Sequence, residues 1–118
     1  MFVAFYRWQV KPGREDEFCE AWARVTRATY RLHGSLGSRL HRSEDGSWIA
    51  YAQWPSRADW ERAWNSGKPA DPAALALMRE CVEHASREER TSPLFSLTVV
   101  DDLLEAAPYS AKGPQPGL

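Results

Sequence analysis

Aromatic side chains are the residues of this chain that are best suited to chemistry. Six tryptophans, four tyrosines and four phenylalanines make up 12% of its 118 residues. Indoles and phenols can wall a pocket for a flat ring, and each can hydrogen-bond to a ligand through its N–H or O–H group. A domain of this length has little interior in which to place six indoles. The aromatic residues therefore line a pocket, fill a bulky core, or form a sheet face that a partner subunit covers.

Four candidates share faces of the predicted elements. Tyr6 and Trp8 lie on one face of the first predicted strand, where Tyr6 is a polar group among apolar ones. Trp60 and Trp64 are one helical turn apart on a short predicted helix. Such residues can enclose a ring, and a phenol can relay a proton. The alternative for tryptophans on a helix stripe is simple packing in the core.

Familiar catalytic motifs are absent from the sequence. It has no Gly-x-Ser-x-Gly elbow, no Gly-x-Gly-x-x-Gly fingerprint and no Walker loop, which argues against serine acyl transfer and nucleotide binding. His33, His41 and His84 are dispersed, and Cys19 and Cys81 lie far apart, so neither set has the spacing of metal ligands or of a disulfide framework. We expect neither a metal nor a bound cofactor.

The charge balance narrows the choice of partners. Fifteen Lys and Arg against sixteen Asp and Glu give a net charge of -1 and a pI near 6.3. This balance leaves no basic excess for a nucleic-acid groove. No stretch reaches the roughly 18 apolar residues of a membrane span, and the first residues lack the pattern of a signal peptide. We expect a cytoplasmic protein with neither nucleic-acid nor membrane partners.

Hydrophobic periodicity predicts a strand, a helix and a hairpin in the first half of the chain. Residues 2–10 alternate with apolar or amphipathic groups on both faces, which predicts a strand that needs cover on both sides. Residues 15–32 carry an apolar stripe at helical spacing, with acidic residues in the first turn and arginines later. Strands follow over 36–42 and 47–54, joined by an Asp-Gly turn.

The second half of the chain adds two helices and a strand. A capping-box pattern that starts at Ser56 predicts a short helix to Ser66. An Asp-Pro pair predicts the start of another helix at Asp71, and an apolar stripe carries this helix to about Glu89. A last strand is predicted over 93–100.

The predicted order is strand, helix, strand, strand, helix, helix, strand. This is the α+β, ferredoxin-like split βαβ arrangement with one extra helix, in which helices cover one face of a four-stranded antiparallel sheet. Since the strands are apolar on both faces, we expect a second copy to cover the other face in a dimeric α/β barrel. We assign residues 1–101 to this domain. Residues 102–118 are a Pro/Gly-rich tail, expected to be mobile or to reach over a partner as an arm.

Three segments resemble the antibiotic biosynthesis monooxygenase (ABM) family. Residues 10–13 (Val-Lys-Pro-Gly), followed by Glu17-Phe18, resemble its strand-to-helix opening. Residues 34–38 (Gly-Ser-Leu-Gly-Ser) are similar to its Gly-x-x-Gly entry to strand 2, and residues 48–54 end in its Tyr-x-x-Trp pattern. The resemblance covers residues 2–100 and implies a dimeric barrel of ferredoxin-like subunits. Members include cofactor-independent oxygenases of polyketide anthrones, quinol oxidases and haem-degrading enzymes.

The resemblance also implies where a site lies. A pocket between sheet and helices would take a small aromatic molecule without metal or flavin. For catalysis we expect Tyr6 as a proton relay, with His41 or Arg39 as a base or enolate stabiliser. The side chains expected to bind the substrate are Trp8, Tyr51, Trp60 and Trp64.

The sequence departs from the family pattern at three positions. Ala52 follows the strand-3 tyrosine where members often carry Glu, and Trp64 is nearest to a late-helix position where they often carry His. Haem-degrading members use an Asn in the first strand, and Tyr6 lies nearest to that position. These departures leave four functions open: an oxygenase of aromatic polyketide-like or quinol substrates, a module that binds an aromatic ligand without turnover, a structural dimer, and a haem-degrading enzyme.

Overall fold

Seven helices and strands are found in the part of the chain that the structure, a computed structural model, describes: residues 1–83 and 93–104. In chain order they are β1 (Phe2–Trp8), α1 (Glu15–His33), β2 (Gly37–Arg42), β3 (Trp48–Trp54), α2 (Arg57–Asn65), α3 (Pro72–Cys81) and β4 (Phe95–Thr98). The predicted order of elements is confirmed, and six of the seven begin and end within a few residues of their predicted bounds.

The four strands form one antiparallel sheet in the order β2-β3-β1-β4. β1 lies inside the sheet, paired with β3 on one side and with β4 on the other. This strand order, with the first and third strands as neighbours, is that of the ferredoxin-like fold. It confirms the predicted α+β class.

Side-chain alternation gives the sheet two different faces. The helix face carries Phe2, Ala4, Tyr6 and Trp8 of β1 with their partners Trp54, Ala52, Ala50 and Trp48 of β3. The open face carries Val3, Phe5 and Arg7 with their partners Gln53, Tyr51 and Ile49. Phe18 of α1 contacts the rings of Trp8 and Trp48. Trp60 of α2 contacts the ring of Phe2, so both helices pack on the helix face.

Two buried clusters hold the helices on that face. The first joins α1 to the end of α3 and packs against Trp8; its members are Phe18, Ala21, Met78, Cys81 and Val82. The second comprises Phe2, Ala4 and Trp54, with Trp60 and Ala63 of α2 packed against it. Because the clusters lie at opposite ends of β1, the middle of the helix face is free to border a cavity.

The starts of α2 and α3 follow the capping chemistry that the sequence predicts. Ser56 accepts a hydrogen bond from the backbone N–H of Asp59 at the start of α2 (3.2 Å). Asp71 accepts one from the N–H of Ala74 at the start of α3 (3.0 Å). Gly34 ends α1 with a φ of 76°, a left-handed conformation that favours glycine.

The prediction that the helix starting at Asp71 continues to about Glu89 is wrong. α3 ends at Cys81, and Val82 is extended and forms an antiparallel bridge with Val10. The N–H of Lys11 donates to the carbonyl of Cys81 at 2.8 Å, so the chain beyond β1 takes hydrogen bonds that a longer helix would have kept. Cys81 and Val82 are adjacent in the chain, and both are buried because the backbone changes from helical to extended between them. Residues 84–92, with His84, and residues 105–118 of the predicted tail lie outside the described residues.

Within residues 1–83 and 93–104, every helix is too short or too polar to span a membrane.

Candidate functional site

A cavity of about 640 Å³ lies between the helix face and the helices. Its volume falls in the range of small-molecule sites. The floor is formed by Ala50 and Ala52 of β3, whose methyl groups leave room above the sheet. Five indoles wall it: Trp8, Trp22, Trp54, Trp60 and Trp64. A flat, apolar floor between aromatic walls suits a planar aromatic ligand.

The aromatic wall is continuous from β1 to α2. The rings of Trp8 and Tyr6 stack with centroids 5.9 Å apart and planes 7° from parallel. Trp60 Nε1–H donates to the hydroxyl oxygen of Tyr6 at 3.3 Å. Trp60 in turn stacks on Trp64 at 5.7 Å. The wall thus positions a single phenol in the middle of three indoles.

Tyr6 is a neutral hydrogen-bond donor in this setting. Burial raises the pKa of its phenol above the ordinary value, and the hydrogen bond from Trp60 opposes this effect only in part. The phenol therefore stays protonated at neutral pH. Its oxygen accepts from Trp60, and no described residue accepts the hydrogen of its own O–H. That hydrogen is available to a ligand.

The entry to β2 forms a polar corner of the cavity, here defined as Ser35, Gly37 and Ser38. Ser35 Oγ accepts a hydrogen bond from the N–H of Gly37 at 3.2 Å. Gly37 has a φ of 100°, so a side chain at this position would strain the backbone. Ser38 Oγ is buried and has no hydrogen-bond partner among the described residues.

A histidine and two cations lie at the rim of the cavity. His33 Nε2 is 3.0 Å from the carbonyl oxygen of Lys68. Because a carbonyl only accepts, Nε2 carries the hydrogen of that contact, and in the neutral ring Nδ1 is then a proton acceptor. Lys68 and Arg79 line the rim without an ion pair to any described residue, whereas Asp71 is paired with Arg24 at 3.3 Å. The rim is therefore cationic.

A metal site is not apparent in the described part of the chain. No three His, Cys, Asp or Glu side chains come together there in a way that could hold an ion.

The predicted site residues divide between the two faces of the sheet. Tyr6, Trp8, Trp60 and Trp64 meet in the cavity. The other three, Arg39, His41 and Tyr51, lie on the open face, because Arg39 pairs with Tyr51 and His41 with Ile49. Their predicted roles stay predictions.

Sequence reasoning missed several residues of the cavity. The floor does have a signal in the sequence, the alternation Trp-x-Ala-x-Ala-x-Trp over residues 48–54, in which bulky ends flank a small centre. Ser38 and His33 have no such signal. A serine that begins a strand and a histidine that ends a helix are ordinary on the surface as well.

A family model described as antibiotic biosynthesis monooxygenase matches residues 1–84. The chain belongs to the antibiotic biosynthesis monooxygenase family. The family predicted from the three sequence segments is thereby confirmed. A comparison of this ABM chain with curated proteins finds no match.

Solved structures share the fold of this ABM chain. SnoaB from Streptomyces nogalater, a cofactor-independent oxygenase, is 20% identical with a TM-score of 0.64, over 88% of this chain and 97% of SnoaB. A candidate antibiotic biosynthesis monooxygenase from Caulobacter crescentus CB15 is 19% identical with a TM-score of 0.64, over 85% and 90% of the two chains. Rv0793 from Mycobacterium tuberculosis is 15% identical with a TM-score of 0.61, over 87% and 98%. At these identities the likeness shows the fold alone.

The raised pKa of Tyr6 predicts how the stability of the ABM protein depends on pH. Above about pH 10 the unfolded chain loses the phenol proton while the folded chain keeps it, so the free energy of unfolding falls as the pH rises. Tyr6→Phe removes this contribution. Urea unfolding from about pH 9 to about pH 11 should therefore show a shallower decline for Tyr6→Phe than for the wild type. Tyr30→Phe, which removes an exposed phenol, is the control and should keep the wild-type decline. Equal slopes for Tyr6→Phe and the wild type would contradict the buried, neutral phenol.

Proposed function

We propose that this ABM protein is a cofactor-independent oxygenase that oxidises a planar aromatic molecule of the anthrone or quinol type in its cavity. The observation that carries the proposal is the Tyr6 phenol, held neutral by burial and free to donate between indole walls. Membership of the family supports the reaction class. SnoaB, which shares the fold, is a cofactor-independent oxygenase.

The proposed reaction converts an anthrone and dioxygen into an anthraquinone and water. A base removes one proton from the ring methylene, and the electron pair left behind delocalises onto the carbonyl oxygen as an enolate. The enolate carbon then gives its electrons to dioxygen and forms a C–O bond, and the resulting peroxide takes the proton back from the base to become a hydroperoxide. Loss of water from that carbon leaves a new carbonyl, so one oxygen atom enters the product and the other leaves with both methylene hydrogens.

Tyr6 is the residue that stabilises the enolate. Its O–H donates to the carbonyl oxygen, where negative charge develops as the proton leaves. The hydrogen bond from Trp60 fixes the phenol oxygen, so no reorganisation is needed during the reaction. A bound ring displaces water from the cavity, which strengthens this interaction further. The cationic rim favours the anionic form of the substrate as well.

His33 is the proposed proton acceptor in the cavity. Its Nε2 is held by the Lys68 carbonyl, which leaves Nδ1 as the basic atom. Asp71 is less suited to this role, because its two oxygens already bind Arg24 and the N–H of Ala74. Roles for His41 and Arg39 would require a ligand on the open face.

A module that binds an aromatic ligand without turnover is the second candidate function. Ala52 stands where family members often carry Glu, so the cavity floor provides no carboxylate to accept a proton. This candidate predicts tight binding of an anthraquinone without oxygen uptake in the presence of an anthrone. A cavity of about 640 Å³ argues against the third candidate, a structural dimer whose cavity is filled by side chains.

Replacing the Tyr6 hydroxyl tests the proposed reaction. The wild-type protein should consume oxygen when anthrone is added, and Tyr6→Phe should lower the turnover rate about 100-fold, because one enolate-stabilising donor is lost. Tyr30→Phe, an exposed position, is the control and should keep the wild-type rate. An oxygen electrode measures both. Full activity in Tyr6→Phe would remove Tyr6 from the mechanism, and binding without any oxygen uptake would favour the module.

We propose further that two copies pair through their open faces to form a homodimer. This face carries apolar side chains from β1 and β3, and Leu97 of β4 is 48% exposed on it. Leu103 and Leu104 follow at 87% and 71% exposure. Apolar surface of this kind needs cover, and a second sheet provides it. The cytoplasmic location stays a prediction from the sequence.

Native mass spectrometry tests the dimer. We expect a species of twice the 13.4 kDa chain mass, and a shift to the single-chain mass for Leu97→Lys, because the charge would be buried in the interface. Leu32→Lys places the same charge on α1, at a side chain that is 63% exposed, and should keep the dimer. A wild-type monomer, or two variants that behave alike, would contradict the pairing.

A further inference from the structure

α2 is held to the rest of the protein less firmly than α1 and α3 are. None of its nine residues is buried, whereas Phe18 of α1 and Cys81 of α3 are fully buried in a cluster that joins those two helices. α2 packs on the sheet through only one side, with the partly buried Trp60 and Ala63. Segments that bury few apolar side chains open at a small cost in free energy. Of these three helices, α2 is therefore the one that is displaced most easily.

The same helix and the loop after it border the cavity. We call this segment, residues 57–70, the lid. It contributes two of the five indoles of the wall, Trp60 and Trp64, and every residue from Gly67 to Ala70 also lines the cavity. The other walls belong to the sheet, α1 and α3, which are joined by buried side chains. A ligand that enters past the lid thus has to move only the wall that is held most weakly.

Fixed points lie on both sides of the lid. Before it, Trp54 is buried at the end of β3, and Ser56 is extended between the strand and α2, with φ −152° and ψ 164°. After it, Asp71 caps α3 and is paired with Arg24 of α1 at 3.3 Å. Hinge motions are absorbed by a few residues at the ends of elements. The lid can therefore turn as one piece at Ser56 and Asp71.

Two hydrogen bonds fasten the lid over the cavity. Trp60 Nε1–H donates to the hydroxyl oxygen of Tyr6 at 3.3 Å, which joins α2 to the sheet. His33 Nε2–H donates to the carbonyl oxygen of Lys68 at 3.0 Å, which joins the loop to α1. Apart from the cap at Ser56, the described residues show no other hydrogen bond between the lid and the rest of the protein. Two contacts of this kind are few enough to break and re-form.

Both fastening contacts end on a group of the proposed reaction. Trp60 fixes the oxygen of the Tyr6 phenol, and the Lys68 carbonyl determines which nitrogen of His33 carries the hydrogen. When the lid is open, neither group has its partner. Closure therefore fixes the Tyr6 oxygen and leaves Nδ1 of His33 as the proton acceptor.

We propose that residues 57–70 are a lid that opens to admit the substrate and, on closing, completes the site by positioning Tyr6 and His33. The inference rests on the proposed function, because these two groups are the ones that act in the oxygenase. Trp60 and Trp64 move with the lid, so their rings contact the substrate only in the closed form. The substrate therefore stabilises the closed form, and closure excludes water from the reaction.

Amide hydrogen exchange, followed by mass spectrometry, tests the motion without any turnover. The hydrogen-bonded amides of α2 should exchange at least about tenfold faster than those of α1 and α3, because α2 opens while the buried cluster stays intact. Saturating 9,10-anthraquinone should slow exchange in α2 and leave α1 unchanged. Equal protection of the three helices in the free protein would overturn the lid. So would bound anthraquinone that leaves exchange in α2 as it was.

Replacing His33 tests the fastening contact in the same experiment. His33→Ala should speed exchange in α2 about fivefold, the effect of one lost hydrogen bond, and leave α1 and α3 unchanged. His33→Gln keeps an N–H donor of similar reach and should retain most of the wild-type protection. Leu32→Ala, at a neighbouring position that is 63% exposed and outside the cavity, is the control and should match the wild type. An equal increase in all three helices for His33→Ala would be structural and would overturn the contact's role.

The outcomes separate the lid from the oxygenase. Fast exchange in α2 that depends on His33, without oxygen uptake in the presence of anthrone, would support the lid and remove the oxygenase. Oxygen uptake with equal protection of the three helices would overturn the lid and leave the oxygenase intact. If anthraquinone does not bind, exchange in the free protein and its change in His33→Ala still decide whether the lid exists.

Discussion

The alternation of large and small side chains along β3 is the constraint on which the rest of the site depends. Trp48 and Trp54 mark the ends of its helix face, and Ala50 and Ala52 form the middle. The bulky ends take part in the packing of α1 and of the sheet, where Phe18 contacts Trp48 and Trp54 is buried with Phe2. The helices are therefore held above the sheet at its ends, and the alanines leave the space between them open.

The chemistry of the cavity depends on how one phenol is buried. In water Tyr6 would be an ordinary weak acid, but burial raises its pKa and makes it a donor that does not ionise at neutral pH. Trp60 of α2 donates a hydrogen bond to the phenol oxygen, and the ring of Trp8, on β1, stacks on the phenol ring. Sheet and helix thus together aim a single O–H group. The same aromatic residues that bind a ring position the donor that would act on it.

Much of the fold follows from the sequence because its signals are local. Each element has its own signal in the sequence: alternation for the strands, an apolar stripe for the helix over residues 15–32, capping residues for helix starts and an Asp-Gly pair for the turn. The order of these elements then specifies the topology. The end of α3 does not follow, because Val82 leaves the helix to pair with Val10, which is distant in the sequence. Local periodicity carries no information on such a bridge.

The site was less predictable than the fold, because it depends on the register of the strands in the sheet. That Tyr51 and Trp54 lie on different faces of β3 is visible in the sequence, since side chains alternate. Which residues of β2 share a face with Tyr51 depends on the hairpin register, and this places Arg39 beside it, away from the cavity. The burial of the Ser38 hydroxyl without a partner among the described residues is likewise a property that no sequence pattern displays.

The small side chains of β3 create the binding cavity, and filling the space above them tests this role most directly. The measurement is the affinity of each of two variants for 9,10-anthraquinone, followed by tryptophan fluorescence. Ala52→Leu fills the floor of the cavity, and the control Ala76→Leu adds the same atoms at an exposed position of α3. The structure predicts a loss of at least about tenfold for Ala52→Leu, because the added carbons occupy the floor, and wild-type affinity for Ala76→Leu. Equal affinity in both variants would contradict a ligand bound over the alanine floor.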